Sequence, residues 1–255
     1  NALDSAPEEY RGWEWRHFAA QFDHSRFTVP DRAHHFGVSP DGRRVAVSAL
    51  DCSTELRELP GGRVVARSSP RATFTVYFEF SPDGATLAEG GDDGTVRLLD
   101  AATLETRVAF RAYDRAVQHL EFDPRGERLL SLDYAGERLD LWDARTGRGL
   151  GGCVVPGRLN GRFGPDGAVA VGADDRVLTW NGTDAPRLLF DTPGGGNVSL
   201  AFSADGRFLA ASTRHPDNRV RVWDRRERRV AWTLSGHRNT VDQVVFSPDG
   251  GRIAS

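Results

Sequence analysis

A short turn motif is copied six times along the chain: Val38-Ser39-Pro40-Asp41-Gly42, Phe80-Ser81-Pro82-Asp83-Gly84, Phe122-Asp123-Pro124-Arg125-Gly126, Phe163-Gly164-Pro165-Asp166-Gly167, Phe202-Ser203-Ala204-Asp205-Gly206 and Phe246-Ser247-Pro248-Asp249-Gly250. Counted through Pro40, Pro82, Pro124, Pro165, Ala204 and Pro248, the copies stand 42, 42, 41, 39 and 44 residues apart. Five of the six pair a Pro, which presets φ, with a Gly that accepts positive φ, which is turn chemistry; Ala204 stands for Pro in the other. A period of roughly 40–45 residues is that of one four-stranded sheet in a radial repeat.

Each repeat reads on one plan. A first strand ends at the aromatic residue (Thr73–Phe80, Thr240–Phe246) and the turn reverses the chain. A second strand follows (Arg43–Ala49, Thr86–Gly90, Arg128–Leu132, Ala168–Val171, Arg207–Ser212). A third (Thr95–Asp100, Arg138–Asp143, Arg176–Asn181, Arg219–Asp224) and a fourth (Thr106–Phe110, Pro186–Phe190, Arg229–Leu234) complete it. Short strands rich in β-branched and aromatic residues between regular turns are an all-β signal. The expected architecture is an all-β propeller fragment over 25–255, with blades near 31–69, 72–111, 114–153, 156–191 and 195–235 and an incomplete sixth at 238–255. The chain stops within a strand and opens without Met, so the expectation is a fragment of something longer.

Residues 1–24 form a different segment. Ser5-Ala6-Pro7-Glu8 has capping-box spacing, and Tyr10, Trp13, Phe18 and Phe22 follow at mostly helical intervals. A short helical lead-in is expected, and Glu8, Glu9 and Glu14 argue against a membrane-surface role. Ser25–Pro30 reads as a lone strand.

The third strands carry further signatures. Leu141-Trp142-Asp143 and Val222-Trp223-Asp224 end in Trp-Asp, and Thr179-Trp180-Asn181 and Leu98-Leu99-Asp100 are degraded copies. Gly236-His237 stands nine residues before Phe246. Together with the period and the turn, these residues resemble WD40 repeats over about residues 31–255. The resemblance implies a hydrogen-bonded set of His, Asp, a strand Ser or Thr, and Trp. The Asp position is filled by Asp93, Asp174 and Asp217, and the His position by Arg71, Tyr113, Val154 and Pro193 in blades two to five. Only His237 matches, so no complete set is expected, and stability should rest on strand burial and blade stacking. The structural positions on this reading are Asp93, Trp142, Asp143, Asp174, Trp180, Asp217, Trp223 and Asp224.

A second resemblance covers Pro7-Glu8-Glu9-Tyr10-Arg11-Gly12-Trp13-Glu14-Trp15-Arg16-His17-Phe18, which is similar to the lead-in to WD40 propellers of modular bacterial Ser/Thr protein kinases. It implies a covalently attached kinase domain upstream, with this chain as its sensor or docking part.

Catalytic chemistry is missing from the sequence. There is no Lys, so no kinase strand Lys and no phosphate-loop Lys can be supplied. His34-His35 are adjacent, and on a regular strand would point to opposite faces. Asp92-Asp93-Gly94 and Asp174-Asp175 lack the alternating ligands and distal Glu of a calcium loop and read as turns. No metal and no cofactor is expected. A net charge of −3 offers no basic footprint for nucleic acid. No apolar run approaches the roughly 20 residues of a membrane span. Cys52 and Cys153, in different repeats, fit unpaired thiols in a reducing compartment. A cytoplasmic location is expected, or a membrane-tethered one through an upstream segment.

What remains is a rigid disc presenting loops, where binding residues concentrate. Loops entering the first strands offer Arg71, Tyr113, Arg115, Arg158, Asn197, His237 and Arg238, and those between second and third strands offer Tyr134 and His215. The expected function is a non-catalytic scaffold for a protein or peptide partner. The alternatives are a stand-alone assembly protein and a propeller hydrolase or lactonase.

Overall fold

The computed structural model describes residues 36–157, 159–194 and 196–255. The expected helix over 1–24, the strand at 25–30, His34-His35 and Arg158 lie outside the described residues. Every regular element among the described residues is a β-strand.

Five four-stranded antiparallel sheets follow one another, each a simple meander. The first comprises β1 (Phe36–Val38), β2 (Arg44–Ser48), β3 (Thr54–Glu58) and β4 (Val64–Arg67). The second comprises β5 (Thr75–Phe80), β6 (Thr86–Gly91), β7 (Thr95–Asp100) and β8 (Thr106–Arg111). The third comprises β9 (Val117–Phe122), β10 (Arg128–Asp133), β11 (Arg138–Asp143) and β12 (Gly149–Val154). The fourth comprises β13 (Leu159–Phe163), β14 (Val169–Ala173), β15 (Arg176–Trp180) and β16 (Arg187–Asp191). The fifth comprises β17 (Asn197–Phe202), β18 (Phe208–Thr213), β19 (Val220–Asp224) and β20 (Arg229–Leu234). A hairpin, β21 (Val245–Phe246) with β22 (Ile253–Ala254), opens a sixth.

The copied motif builds the same turn wherever it keeps Ser and Asp. In the second sheet Ser81 Oγ donates to Asp83 Oδ1 at 2.6 Å and accepts from the Thr86 N–H at 2.9 Å. Gly84, at φ 69°, turns its N–H back to the Ser81 carbonyl at 2.8 Å. The Ser39, Ser203 and Ser247 turns repeat these bonds. Where Ser is replaced by Asp123, its carboxylate takes over, accepting the N–H groups of Glu127 and Arg128. Donation from Ser81, then from the Ala85 N–H, holds the Asp83 carboxyl below the usual range.

Packing follows from strand alternation. Leu129 and Leu130 are adjacent on β10 and point to opposite faces. Leu129 packs with Ala88, Val96 and Leu98 of the preceding sheet, and Leu130 packs with Leu159 and Val169 of the following one. Second strands are therefore buried on both faces and read as continuous apolar runs. Neighbour-on-neighbour burial of this kind is the energetics of a repeat protein. All five sheets also shift register between third and fourth strands, at Leu56/Arg57, Leu98/Leu99, Leu141/Trp142, Val177/Leu178 and Val222/Trp223. Such bulges sharpen local twist, here at the same place in four sheets and two residues earlier in the fourth.

Candidate functional site

The first strands of successive sheets lie side by side, β1 against β5, β5 against β9, β13 against β17 and β17 against β21. They make an inner wall, and residues at one register position line up along it. Tyr77, His119, Asn160 and Ser199 occupy one rung, opposite Gly90, Leu132, Gly172 and Ser212. Two residues on, Glu79, Glu121, Arg162 and Ala201 occupy the next. The Tyr77 and His119 rings meet edge to face with centroids 5.0 Å apart. Arg162 lies 3.4 Å from Glu121, whose other oxygen accepts the Phe163 N–H at 3.1 Å.

A cleft of about 300 Å³ opens where blades three, four and five meet, at the ends where the loops enter the first strands. Gln118, His119, Asn160, Arg162, Asn197 and Arg214 supply its polar lining. Both amide atoms of Asn160, His119 Nε2 and Asn197 Oδ1 are buried without a hydrogen-bond partner. Asn197 uses its other amide atom, donating from Nδ2 to the carbonyls of Asp174 and Arg176 at 2.8 Å each.

Burial, reinforced by the charge of Glu121 and opposed by Arg162, pushes the Glu79 carboxyl up to about 7. A carboxyl raised this way takes up a proton on folding between its ordinary value near 4.5 and about 7. Its contribution to stability is therefore full at low pH and is lost as pH rises through 7. Glu79→Gln should flatten this dependence, melting above the parent at pH 8 by on the order of 2 kcal/mol and matching it at pH 5. Equal melts at both pH values would remove Glu79 from this role.

The structure separates the residues singled out in the sequence. Arg115 and Tyr134 come together on the loop rim, the guanidinium 5.0 Å from the ring centroid. Both are exposed, as are His215, His237 and Arg238. His237 Nε2 meets Ser255 Oγ at 2.8 Å. Arg71 and Tyr113 face inward instead. Arg71 pairs with Glu89 at 2.5 Å, and Glu89, fully buried, also accepts from Thr54 of the first blade. Tyr113 is 8% exposed; its hydroxyl meets Ser131 Oγ at 2.6 Å, and Trp142 Nε1 donates to the same oxygen at 2.8 Å. A Tyr–Ser–Trp set thus stands in blade three, still without the Asp, whose position is filled by Gly136. Tyr fits the His position because its hydroxyl reaches the strand Ser. Burial, and then Asp140, push the Tyr113 phenol up, so it stays a neutral hydrogen-bonding group.

Asp93, Asp143 and Asp224 accept turn N–H groups, and Asp224 also holds Arg207 through one carboxylate oxygen. Asp217 pairs with Arg221 at 2.5 Å. The Asp174 backbone takes φ 40°, and its carbonyl receives Asn197. Trp180 is 2% exposed, whereas Trp142 and Trp223 are half-buried against Phe110 and Phe190. Cys52 and Cys153 are unpaired and half-buried, and burial raises the Cys153 thiol to about 11, away from nucleophilic use. Among the described residues no group of three His, Cys, Asp or Glu could hold a metal ion, and no helix is long and apolar enough to cross a membrane.

A family model described as "WD domain, G-beta repeat" matches residues 188–224 and 228–255, which take in the Trp223-Asp224 strand and the Gly236-His237 pair. Residues 188–224 and 228–255 are WD40 repeats. Among curated proteins it is 22% identical to periodic tryptophan protein 2 of Arabidopsis thaliana, over 94% of this chain and 26% of that protein. It is 25% identical to nuclear distribution protein nudF of Aspergillus niger, over 66% of this chain and 40% of that one. It is 27% identical to WD repeat-containing protein VIP3 of Arabidopsis thaliana, over 68% of this chain and 46% of that one. The chain thus spans about a quarter to a half of the length of these WD40 relatives.

Of the polar cleft residues, Asn197 was singled out in the sequence, whereas Gln118, His119, Asn160, Arg162 and Arg214 were not. His119, Asn160 and Ser199 share a register position, three residues before the aromatic that ends each first strand, visible once the turns are superposed.

Proposed function

We propose that this chain is a non-catalytic WD40 interaction module that docks a protein partner on its loop face. The observation that carries the reading is the inner-wall cleft with the exposed Arg115–Tyr134 pair beside it. Three blades contribute to this face, and each is held by burial on both sides. Its groups are thus preorganised and lose little freedom on docking. Arg and Tyr are the side chains that interfaces use as anchors. The resemblance of residues 7–18 supports a finer reading, in which a kinase domain precedes the module; the upstream coding sequence tests it.

The face itself is tested by selecting peptides from a random displayed library on the immobilised chain. The double variant Arg115→Ala/Tyr134→Ala should weaken the selected peptides roughly 10-fold or more without lowering the melting temperature. Arg125→Ala, exposed in the turn at the opposite end of the blade, should leave them unchanged. Loss with Arg125→Ala and retention with the double variant would move the site to the other face.

A further inference from the structure

We infer that the cleft between blades three, four and five takes a carboxylate on a short aliphatic stem, the acidic end of a peptide partner. The inference rests on the loop-face reading and adds the chemistry of the group recognised.

Charge is the first argument. The chain has 36 acidic residues against 33 basic ones, yet among the described residues no Asp or Glu lines the cleft, while two Arg do. Arg162 is partly committed to Glu121 at 3.4 Å. Arg214 has no ion-pair partner among the described residues. A guanidinium held at a cleft mouth with nothing to neutralise it presents the planar fork that binds a carboxylate through two N–H donors.

Hydrogen-bond balance is the second. Gln118 is exposed at the mouth, and behind it lie the unpartnered amide of Asn160 and His119 Nε2. A buried polar group left unpaired costs about 1–3 kcal/mol. Asn160 lines the cleft, and an acceptor bound there beside it would satisfy its NH2 group. The unpartnered amide oxygens of Asn160 and Asn197 can take a donor, but the two guanidinia of Arg162 and Arg214 tip the lining toward donors with positive charge, so the complementary ligand is an acceptor with negative charge.

Size and floor are the third. At about 300 Å³ the cleft holds a side chain or a chain end rather than a folded element. Leu132, Leu159 and Leu200 form apolar parts of its wall and suit one or two methylenes.

The carboxylate can come from an acidic side chain or from a chain terminus, and the test separates them. The 15N-labelled chain is titrated with three peptides: acetyl-Ala-Ala-Glu-amide, acetyl-Ala-Ala-Ala with a free carboxylate, and acetyl-Ala-Ala-Ala-amide. At least one carboxylate peptide should shift the Asn160 and Arg214 side-chain signals saturably, and the identity of that peptide names the source. The fully amidated peptide should not. Arg214→Gln should weaken binding about 10-fold with an unchanged melt. Equal shifts from the amidated peptide, or no saturable shift from any of the three, overturns the inference. Library-selected peptides that lose affinity with the Arg115/Tyr134 double variant but keep it in Arg214→Gln would overturn the cleft chemistry while leaving the loop-face reading standing.

Discussion

Trp180→Ala is expected to destabilise the chain by about 3–5 kcal/mol, the range for removing a large buried aromatic. Trp180 packs within a cluster that runs from Leu130 and Leu139 of blade three to Val169 and Leu178 of blade four. Its indole N–H donates to the Asp184 carbonyl at 2.9 Å. Truncation therefore opens a cavity between two blades and leaves a carbonyl without its donor. Trp232→Ala is the internal control: that ring is 53% exposed on an outer strand and its loss should shift the melt little. Thermal or urea unfolding decides it. Equal losses for the two tryptophans would mean that burial between blades does not govern stability here.

Arg71→Ala carries the second large effect. It leaves the Glu89 carboxyl fully buried with the Thr54 hydroxyl and the more weakly acting charge of Arg97, and breaking a buried pair from one side costs about 3–5 kcal/mol. Burial already raises the Glu89 carboxyl, with Arg71 the main opposing influence. Without Arg71 the group rises further, so the variant should be hurt more at high pH than at low pH. Register offers the rescue. The position of Glu89 is filled by Val47, Val171 and Ala211 in blades one, four and five. Arg71→Ala combined with Glu89→Val should recover most of the loss. A double variant as unstable as Arg71→Ala alone would show that the pair is not what holds this seam.

These two predictions mark where the sequence was and was not readable. The turns were legible because Ser81, Asp83 and Gly84 satisfy each other within six residues, so the local sequence contains the whole hydrogen-bond circuit. The second strands were legible because burial on both faces leaves a run such as Leu129-Leu130-Ser131-Leu132. Polar groups between blades were not. Arg71 finds Glu89 18 residues away and Glu89 finds Thr54 35 residues away, and neither separation follows from a local pattern. Trp142 and Trp223 carry the intact Trp-Asp signature yet are half-buried, while the degraded copy at Trp180 holds the most enclosed indole among the described residues. The reason is local to blade four, where the turn after Trp180 folds Asp184 back over the ring edge. The cleft was hidden for a different reason. Most of its lining comes from three first strands brought side by side only by blade stacking, with Gly136 and Arg214 added from the loops between second and third strands.

The central claim, that the loop ends of these WD40 blades are the working face, is tested most directly by hydrogen exchange with and without a library-selected peptide. The account predicts that slowed amides gather in 112–118, 133–137, 157–161 and 213–216, the segments around the cleft and the Arg115–Tyr134 pair. Protection confined instead to the turns at 81–84, 123–126 and 203–206 would contradict it.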